Sequence, residues 1–236
     1  PVLSKVAKAN IYLKLENMHE TGAFKIRGAT NKVLQAVQRG ATSVIAASSG
    51  NHGQAVAYIA NQLGIPSTIV VPVDANESKL NAIKNYGGTL EKCGTTSAER
   101  LARAKELATE QNSWFIPPYD DPLIMAGQGT IGLEILDQLD NVDVVVVPIG
   151  GGGLISGILI AIKQTKPNVK VIGVEPETAN DTYLSIRNKK ITAIPGTTTI
   201  ADGLRTSQPG NITFPIVQKF LDDLVLVSDK EMKQAQ

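Results

Sequence analysis

The strongest constraint on the fold is a regular alternation of short β-branched apolar runs with longer segments of helical periodicity. Val142–Pro148 is the clearest apolar run, and Val44–Ala47, Thr68–Val71 and Lys170–Val174 resemble it. A helical pattern follows the first three of these runs, and a long loop follows Lys170–Val174. Buried parallel strands joined by helical crossovers produce this order. The sequence therefore predicts an α/β fold with doubly wound, Rossmann-like parallel sheets.

The same patterns place the other elements. Further strands are expected at Ile11–Glu16, Leu90–Lys92, Trp114–Ile116 and Leu224–Val227. Helices are expected at Phe24–Gln38, Asn51–Leu63, Glu77–Tyr86, Ala98–Gln111, Gly127–Leu139, Leu154–Lys163 and Ile212–Phe220, with a long loop over Thr178–Gly210. A last helix begins near Ser228, with Glu231 at its third position. Because the chain stops inside that helix and opens at Pro1, we expect a piece of a longer protein.

Charge and cysteine content narrow the function classes. The 236 residues include 23 Lys+Arg and 22 Asp+Glu, for a net charge of +1. That balance gives no sign of a nucleic-acid or anionic-membrane partner. The single cysteine, Cys93, excludes an internal disulfide and a zinc cluster of cysteines, and favours a reduced, cytoplasmic setting. The apolar runs are too short to span a bilayer.

The clearest candidate for ligand binding is a glycine run between a strand and a helix. It consists of Gly150, Gly151, Gly152 and Gly153, and the predicted helix begins at Leu154. Glycines there allow successive backbone N–H groups to face one anion, and the helix N-terminus adds its positive dipole end. The run lacks the lysine of a P-loop and the spacing of a dinucleotide fingerprint. We expect a phosphate group to bind at this run.

A second strand-to-helix junction carries polar residues. Ser48, Ser49, Gly50, Asn51 and His52 follow the strand Val44–Ala47 and open a helix. Their hydroxyl, amide and backbone N–H groups suit a carboxylate or an oxyanion, although ordinary helix capping explains them equally well.

Lys25 lies among small and apolar residues at the start of another predicted helix. Desolvation there would lower the pKa of its amine, as an imine-forming lysine requires. The alternative is an ordinary surface lysine.

One acidic loop could hold a divalent cation. Glu175, Asp181 and the backbone carbonyl of Ala179 supply the oxygen ligands that Mg²⁺ and Ca²⁺ prefer. Acidic loop residues are more often simply solvated.

Taken together, the order of these motifs resembles that of fold-type II pyridoxal-phosphate (PLP) enzymes, the tryptophan synthase β-like group. The motifs are the segment Gly22–Ala29, the segment Ser48–Gly53 and the glycine run. Within that group, Ile116–Pro122, Ala126–Glu134 and Ile200–Gly203 resemble the threonine/serine dehydratase (threonine ammonia-lyase) and serine racemase family. The resemblance covers essentially the whole chain.

The resemblance implies roles for individual residues. Lys25 would hold PLP covalently beside Phe24, Asn51 would bond the ring hydroxyl, and the Ser48–His52 loop would bind the substrate carboxylate. The phosphate would lie on Gly150, Gly151, Gly152, Gly153 and Leu154. Arg100 would lie near the substrate, and Glu175, Ala179 and Asp181 would bind Mg²⁺ (or Ca²⁺ or Mn²⁺).

The resemblance also implies architecture. Residues 43–118 would form a small α/β domain inserted into a large PLP-binding domain of residues 1–42 and 119–236. The large domain would be truncated, because the family continues past Gln236 with a motif that faces the pyridine nitrogen. The full-length protein would be a homo-oligomer, a dimer or tetramer.

The implied activity is dehydration and deamination of L-threonine or L-serine to 2-oxobutanoate or pyruvate plus ammonia. An alternative is serine racemase with side dehydratase activity, because Ser49 occupies the position of the racemases' second proton carrier. A third reading is a non-catalytic PLP- or ligand-binding remnant. A β-replacement enzyme such as cysteine synthase is disfavoured. The corresponding loop of those enzymes reads Thr-Ser-Gly-Asn-Thr, and this chain has His52 in place of the final threonine.

Overall fold

The computed structural model describes residues 2–235. Pro1 and Gln236, the end points of the expected large domain, lie outside the described residues. The strands are β1 (Val44–Ala47), β2 (Ser67–Val71), β3 (Thr89–Lys92), β4 (Trp114–Phe115), β5 (Val144–Pro148), β6 (Lys170–Pro176) and β7 (Asp223–Val227). The helices are α1 (Val2–Ala7), α2 (Lys25–Gln38), α3 (Asn51–Gln62), α4 (Glu77–Asn85), α5 (Ser97–Glu110), α6 (Pro122–Gln138), α7 (Gly153–Thr165), α8 (Asp181–Asn188), α9 (Thr213–Phe220) and α10 (Asp229–Ala235).

The strands form two separate parallel sheets. The first has the order β3-β2-β1-β4 and the second the order β5-β6-β7. In the first, Val44 lies opposite Ser67, and in the second, Val144 lies opposite Lys170. Helices connect the successive strands, which confirms the predicted α/β class.

Each sheet packs its helices over its own apolar core. All four residues of β1 are buried, and Val44 and Ala46 belong to the cluster that includes the buried faces of α2 and α3. The second sheet packs on α7 through residues such as Val147 and Ile155. Each core uses aliphatic residues almost throughout, as the low aromatic content requires.

Glycines let α6 and α7 approach backbone to backbone. A Cβ atom on Gly129 would lie 2.8 Å from the carbonyl oxygen of Gly157, and one on Gly157 would lie 2.6 Å from the backbone nitrogen of Gly129. Because only a residue without Cβ fits at this separation, the contact fixes α7, and with it the glycine run at its start, relative to α6.

One face of the second sheet carries exposed apolar side chains. Val146 on β5 is 61% exposed, and Val144 and Val225 are exposed as well. Alternate residues of β5 point to the core and to solvent, so helices cover one face of this strand within residues 2–235. In the same range, no helix combines the length and the apolar character needed to cross a membrane.

Two of the predicted elements and the start of one predicted helix were wrong. Ile11–Glu16 is not a strand: it pairs with no other strand in the described chain, and Ile11 and Leu13 are exposed. An apolar run forms a strand only where a sheet edge is available to pair with it. The expected loop over Thr178–Gly210 contains α8, whose first N–H groups are bonded by Glu175 from β6, a partner outside the helix.

Helix α6 begins at Pro122 and not at the predicted Gly127. The side chain of Asp121 accepts hydrogen bonds from the backbone N–H groups of Leu123 and Ile124. An aspartate cap followed by proline at the first helical position is a standard start signal, and it corrects the prediction made from apolar spacing alone.

Candidate active site

The segment that leaves β4 brings two candidate residues together. Lys25 Nζ donates a hydrogen bond to the carbonyl oxygen of Pro118 at 2.7 Å. The Nε2 atom of His52 lies 3.0 Å from the carbonyl oxygen of Ile116. Because the two acceptors are two residues apart in the chain, the first residue of α2 and the second residue of α3 meet at the end of β4.

Burial changes the charge state of the Lys25 amine. Desolvation lowers its pKa from 10.5 to about 8. The Phe24 ring lies beside the amine, with its centroid 5.4 Å from Nζ. Helix α2 is anchored next to it, since Gly28 N–H donates to the buried side chain of Gln128. With a pKa of about 8, roughly a tenth of the Lys25 amine is uncharged at pH 7 and about half at pH 8, against far less than 1% at pH 7 for an ordinary lysine. Imine formation requires the uncharged amine.

His52 is a neutral, buried histidine. It is 3% exposed, and burial, followed by the charge of Lys25, lowers its pKa to about 3. Its hydrogen bond to Ile116 requires the proton on Nε2, because a carbonyl oxygen only accepts. Nδ1 is consequently an acceptor, and it has no partner among the described residues. The hydrogen bond from Nε2 therefore fixes the ring next to Ile116, the residue that follows β4.

The glycine run leaves a series of backbone donors free. From Gly150 to Ile155, no backbone N–H group donates to another described residue. Gly152, the N-cap of α7, has φ +90°, a conformation that favours glycine. The ring of Tyr119 lies against Gly151, where a Cβ would come within 2.5 Å of it. The geometry fits a phosphate group bound by N–H groups at a helix N-terminus.

Helix α3 offers a second set of free donors. Gly50 N–H donates to Ser48 Oγ, and the helix has no side-chain cap. Asn51, His52 and Gly53 donate no backbone hydrogen bond to any residue within 2–235. By contrast, side-chain oxygens accept from the first turns of α4, α5, α6, α8 and α9. Two uncapped helix N-termini and a desolvated lysine fit PLP and a carboxylate substrate.

The acidic pair lies close together on β6 and α8. Both oxygens of Glu175 accept backbone N–H groups, from Thr182 at 3.0 Å and Tyr183 at 2.8 Å. Burial raises the pKa of Glu175 and of Asp181 to about 7 each. Asp181 Oδ2 is buried without a partner among the described residues. These oxygen donors fit a hard cation, which would offset the burial of the two acids. No cluster of three acidic, histidine or cysteine ligands occurs in the described part of the chain.

Arg100 and Ser49, two residues predicted to lie near the substrate, make no hydrogen bond to Lys25 or His52 in the described residues. Arg100 in α5 donates to the Thr95 carbonyl and to Ser97 Oγ, around the start of its own helix after β3. Its side chain is therefore engaged locally and bonds no residue at the end of β4. Ser49 and the neighbouring Asn51 lie on the rim of the α3 N-terminus, with Asn51 exposed.

Four residues that organise the site were not predicted from the sequence: Pro118, Tyr119, Asp120 and Thr213. Asp120 accepts N–H groups from residues 211–213, and Thr213 Oγ1 donates to the Gly151 carbonyl. Tyr119 and Asp120 belong to the segment Ile116–Pro122, which carried the family resemblance. The sequence therefore singled out the segment but did not predict which residues it contacts. No local signal identified Thr213, which lies 62 residues from Gly151.

Comparison with known proteins agrees with this geometry. The chain is 46% identical over 226 residues to an L-threonine ammonia-lyase of Geobacter sulfurreducens, covering 95% of this chain and 56% of the relative. Maize serine racemase superimposes with a TM-score of 0.95 at 36% identity, covering 99% of this chain and 71% of that one. Serine racemase from Dictyostelium discoideum gives a TM-score of 0.92 at 40% identity, covering 99% and 75%.

The chain spans just over half of the length of the first curated relatives it matches. The family model described as "Pyridoxal-phosphate dependent enzyme" matches residues 1–236, the whole chain. The buried Lys25 amine, the free donors of the glycine run and the relatives agree with this match. The chain belongs to the pyridoxal-phosphate dependent enzyme family.

Proposed function

We propose that the protein to which this chain belongs dehydrates and deaminates L-threonine, L-serine or both. The products are 2-oxobutanoate or pyruvate and ammonia; the water lost at the β-carbon is regained on hydrolysis. The observation that carries the proposal is the Lys25 amine, whose pKa burial lowers to about 8 at the meeting point of α2, α3 and β4. The threonine ammonia-lyase relative supports the substrate class.

When bound, PLP supplies an electron sink for the substrate α-carbon. In this proposal Lys25 Nζ removes the α-proton, because a desolvated amine is uncharged in a large fraction of molecules near pH 8. The Pro118 carbonyl holds the amine at 2.7 Å. The free N–H groups of the glycine run and Leu154 hold the phosphate. Phe24 flanks the ring.

The substrate carboxylate is assigned to the N-terminus of α3. Ser48, Ser49 and Gly50 precede it, and Asn51 and His52 offer their backbone N–H groups. The positive end of the helix dipole favours an anion there. The His52 ring is not part of this contact in the proposal, because it already donates to Ile116.

The direct test is a product assay on purified protein loaded with PLP. We expect 2-oxobutanoate from L-threonine and pyruvate from L-serine, and loss of both in Lys25→Ala. Lys84→Ala, a change of an exposed helix lysine, is the matched control. Keto acid from neither substrate, in protein that binds PLP, would favour the non-catalytic reading.

Serine racemisation is the second candidate, supported by Ser49 and by the similarity to maize serine racemase. Ser49→Ala should abolish D-serine formation and leave part of the pyruvate formation, since only racemisation needs a second proton carrier. Chiral chromatography of the reaction with L-serine measures both products. Absence of D-serine in the unmutated protein at every time point would remove this candidate.

We also propose that Glu175, Asp181 and the Ala179 carbonyl bind a divalent cation such as Mg²⁺. The support is the buried, unpartnered Asp181 oxygen and the raised pKa of both acids. Adding Mg²⁺, Ca²⁺ or Mn²⁺ should raise the melting temperature of the protein, and Asp181→Asn should remove the rise. An equal rise in the variant would contradict the site.

We retain the domain division as a proposal: residues 43–118 as the small domain, and 1–42 with 119–236 as the large one. Its support is that residues between 44 and 115 supply every strand of the first sheet.

A further inference from the structure

The N-terminus of α9 touches the glycine run, but its donors are already satisfied. Asp120 Oδ1 accepts the N–H groups of Ile212 at 2.8 Å and Thr213 at 3.2 Å, and Oδ2 accepts that of Asn211 at 2.9 Å. The carboxylate therefore neutralises the positive end of α9. The neighbouring N-terminus of α7 has no such partner among residues 2–235 and stays available to an anion.

Asp120 thereby fixes Thr213 against the glycine run. Thr213 is fully buried. Its Oγ1 donates to the Gly151 carbonyl at 2.8 Å and accepts the Gly210 N–H at 3.0 Å. Its own carbonyl accepts from Ser156 Oγ in the first turn of α7. The threonine thus bridges the run, the loop before α9 and the helix that follows the run.

Thr213 Oγ1 makes the shorter of two hydrogen bonds that orient one peptide group of the run. The second donor to the Gly151 carbonyl is the Gly210 N–H at 3.3 Å, and Gly210 is itself bonded to Thr213 Oγ1. In a trans peptide, the C=O and N–H bonds point in opposite directions. Since the Gly151 carbonyl points at Thr213, the Gly152 N–H points away from it. A Cβ on Gly152 would lie 2.8 Å from Thr213 Oγ1, so the contact also restricts residue 152 to glycine.

We infer that Thr213, held by Asp120, is a positioning residue that orients the Gly151–Gly152 peptide toward the cofactor phosphate. The pair makes the chain select the phosphorylated cofactor over pyridoxal, which lacks the phosphate. The inference rests on PLP binding in the proposed function but not on the reaction catalysed. It concerns binding, so a failure to form keto acid leaves it intact.

The test compares Thr213→Val, which keeps the side-chain shape and removes the hydroxyl, with Thr213→Ser, which keeps the hydroxyl. Equilibrium affinities for PLP and for pyridoxal are measured on the full chain without substrate. Loss of one oriented hydrogen bond should weaken PLP binding about tenfold in Thr213→Val and leave pyridoxal binding unchanged. Thr213→Ser should keep the unmutated ratio of the two affinities.

The phosphorus NMR shift of bound PLP supplies an independent signature, which should move in Thr213→Val only. Thr199→Val is the matched control, because Thr199 is equally buried and its hydroxyl donates to Asp229. Equal weakening of PLP and pyridoxal, or no weakening, in a folded Thr213→Val protein would overturn the inference. If that variant does not fold, Asp120→Asn decides: a lowered ratio supports the inference and an unchanged ratio overturns it.

Discussion

Replacing Lys25 with methionine removes an ammonium group that the fold desolvates beside the Pro118 carbonyl. Methionine has a similar length and no charge. Because burial alone lowers the pKa of this amine, the folded state destabilises the charged form. We therefore expect Lys25→Met to be more stable than the unmutated chain at neutral pH, although it loses the cofactor lysine. Stabilisation by removing a functional group is a known sign of an active site.

The magnitude follows from the pKa. The change from 10.5 to about 8 corresponds to about 3 kcal/mol at 1.36 kcal/mol per unit. The lost hydrogen bond to Pro118 offsets about 1 kcal/mol of this, which leaves a net gain of about 2 kcal/mol at pH 7.

The gain should depend on pH. Below pH 8 the amine is protonated in both states, and the folded state bears the whole cost of the buried charge. Between about pH 8 and 10.5 the unfolded state binds more protons than the folded state, so the stability of the unmutated chain rises with pH. By pH 10 the remaining cost is below about 1 kcal/mol, and the advantage of Lys25→Met should have disappeared.

Urea unfolding of both proteins without PLP, at pH 7 and pH 10, measures the difference. The control is Lys84→Met, a change of an exposed helix lysine that should shift stability by less than about 0.5 kcal/mol at either pH. A Lys25→Met protein that is less stable than the unmutated chain at pH 7, or whose advantage is the same at both pH values, would refute the buried-amine argument.

Two further substitutions test the packing and the charges around the site. Gly151→Ala should destabilise the chain by about 1–3 kcal/mol in urea unfolding, because the new Cβ would come within 2.5 Å of the Tyr119 ring; Gly203→Ala, with nothing within 4 Å, is the control and should differ little. Arg27→Met should lower the free energy of unfolding by about 1.5–3 kcal/mol. The guanidinium is only 15% exposed, and it pairs with Glu16 in the segment before α2 and with Glu134 in α6. Arg103→Met, which removes surface ion pairs only, should cost less than about 1 kcal/mol, and equal costs for the two arginines would contradict the assignment.

The sequence predicted the elements that have a local signal. Strand β1 was predicted with its observed bounds, because Val44–Ala47 is apolar throughout and buried on both faces. The glycine run was found because glycines between a strand and a helix are unusual and have a physical meaning. The local sequence around Lys25 predicted a desolvated amine but left an ordinary surface lysine as the alternative. In the folded structure desolvation lowers the pKa of this amine to about 8.

What the sequence did not predict depends on contacts between distant residues. The carboxylates that accept the first N–H groups of α8 and α9 come from other elements, Glu175 and Asp120. The sequence did not predict these contacts, although it predicted the bounds of α9 to within one residue. The bridge from Thr213 to Gly151 spans 62 residues. The false strand at Ile11–Glu16 has the composition of a strand and pairs with none of the described ones. In each case the missing information is the position of a partner in space.

The most direct test of the central claim is to identify the lysine that holds PLP. The protein is mixed with PLP, its visible spectrum is recorded, and borohydride then fixes the cofactor irreversibly to the amine that carries it before peptide mapping. We predict one reducible absorption band and one modified peptide, with the label on Lys25. A label spread over exposed lysines such as Lys84, or a single label on another lysine, would contradict the assignment of Lys25.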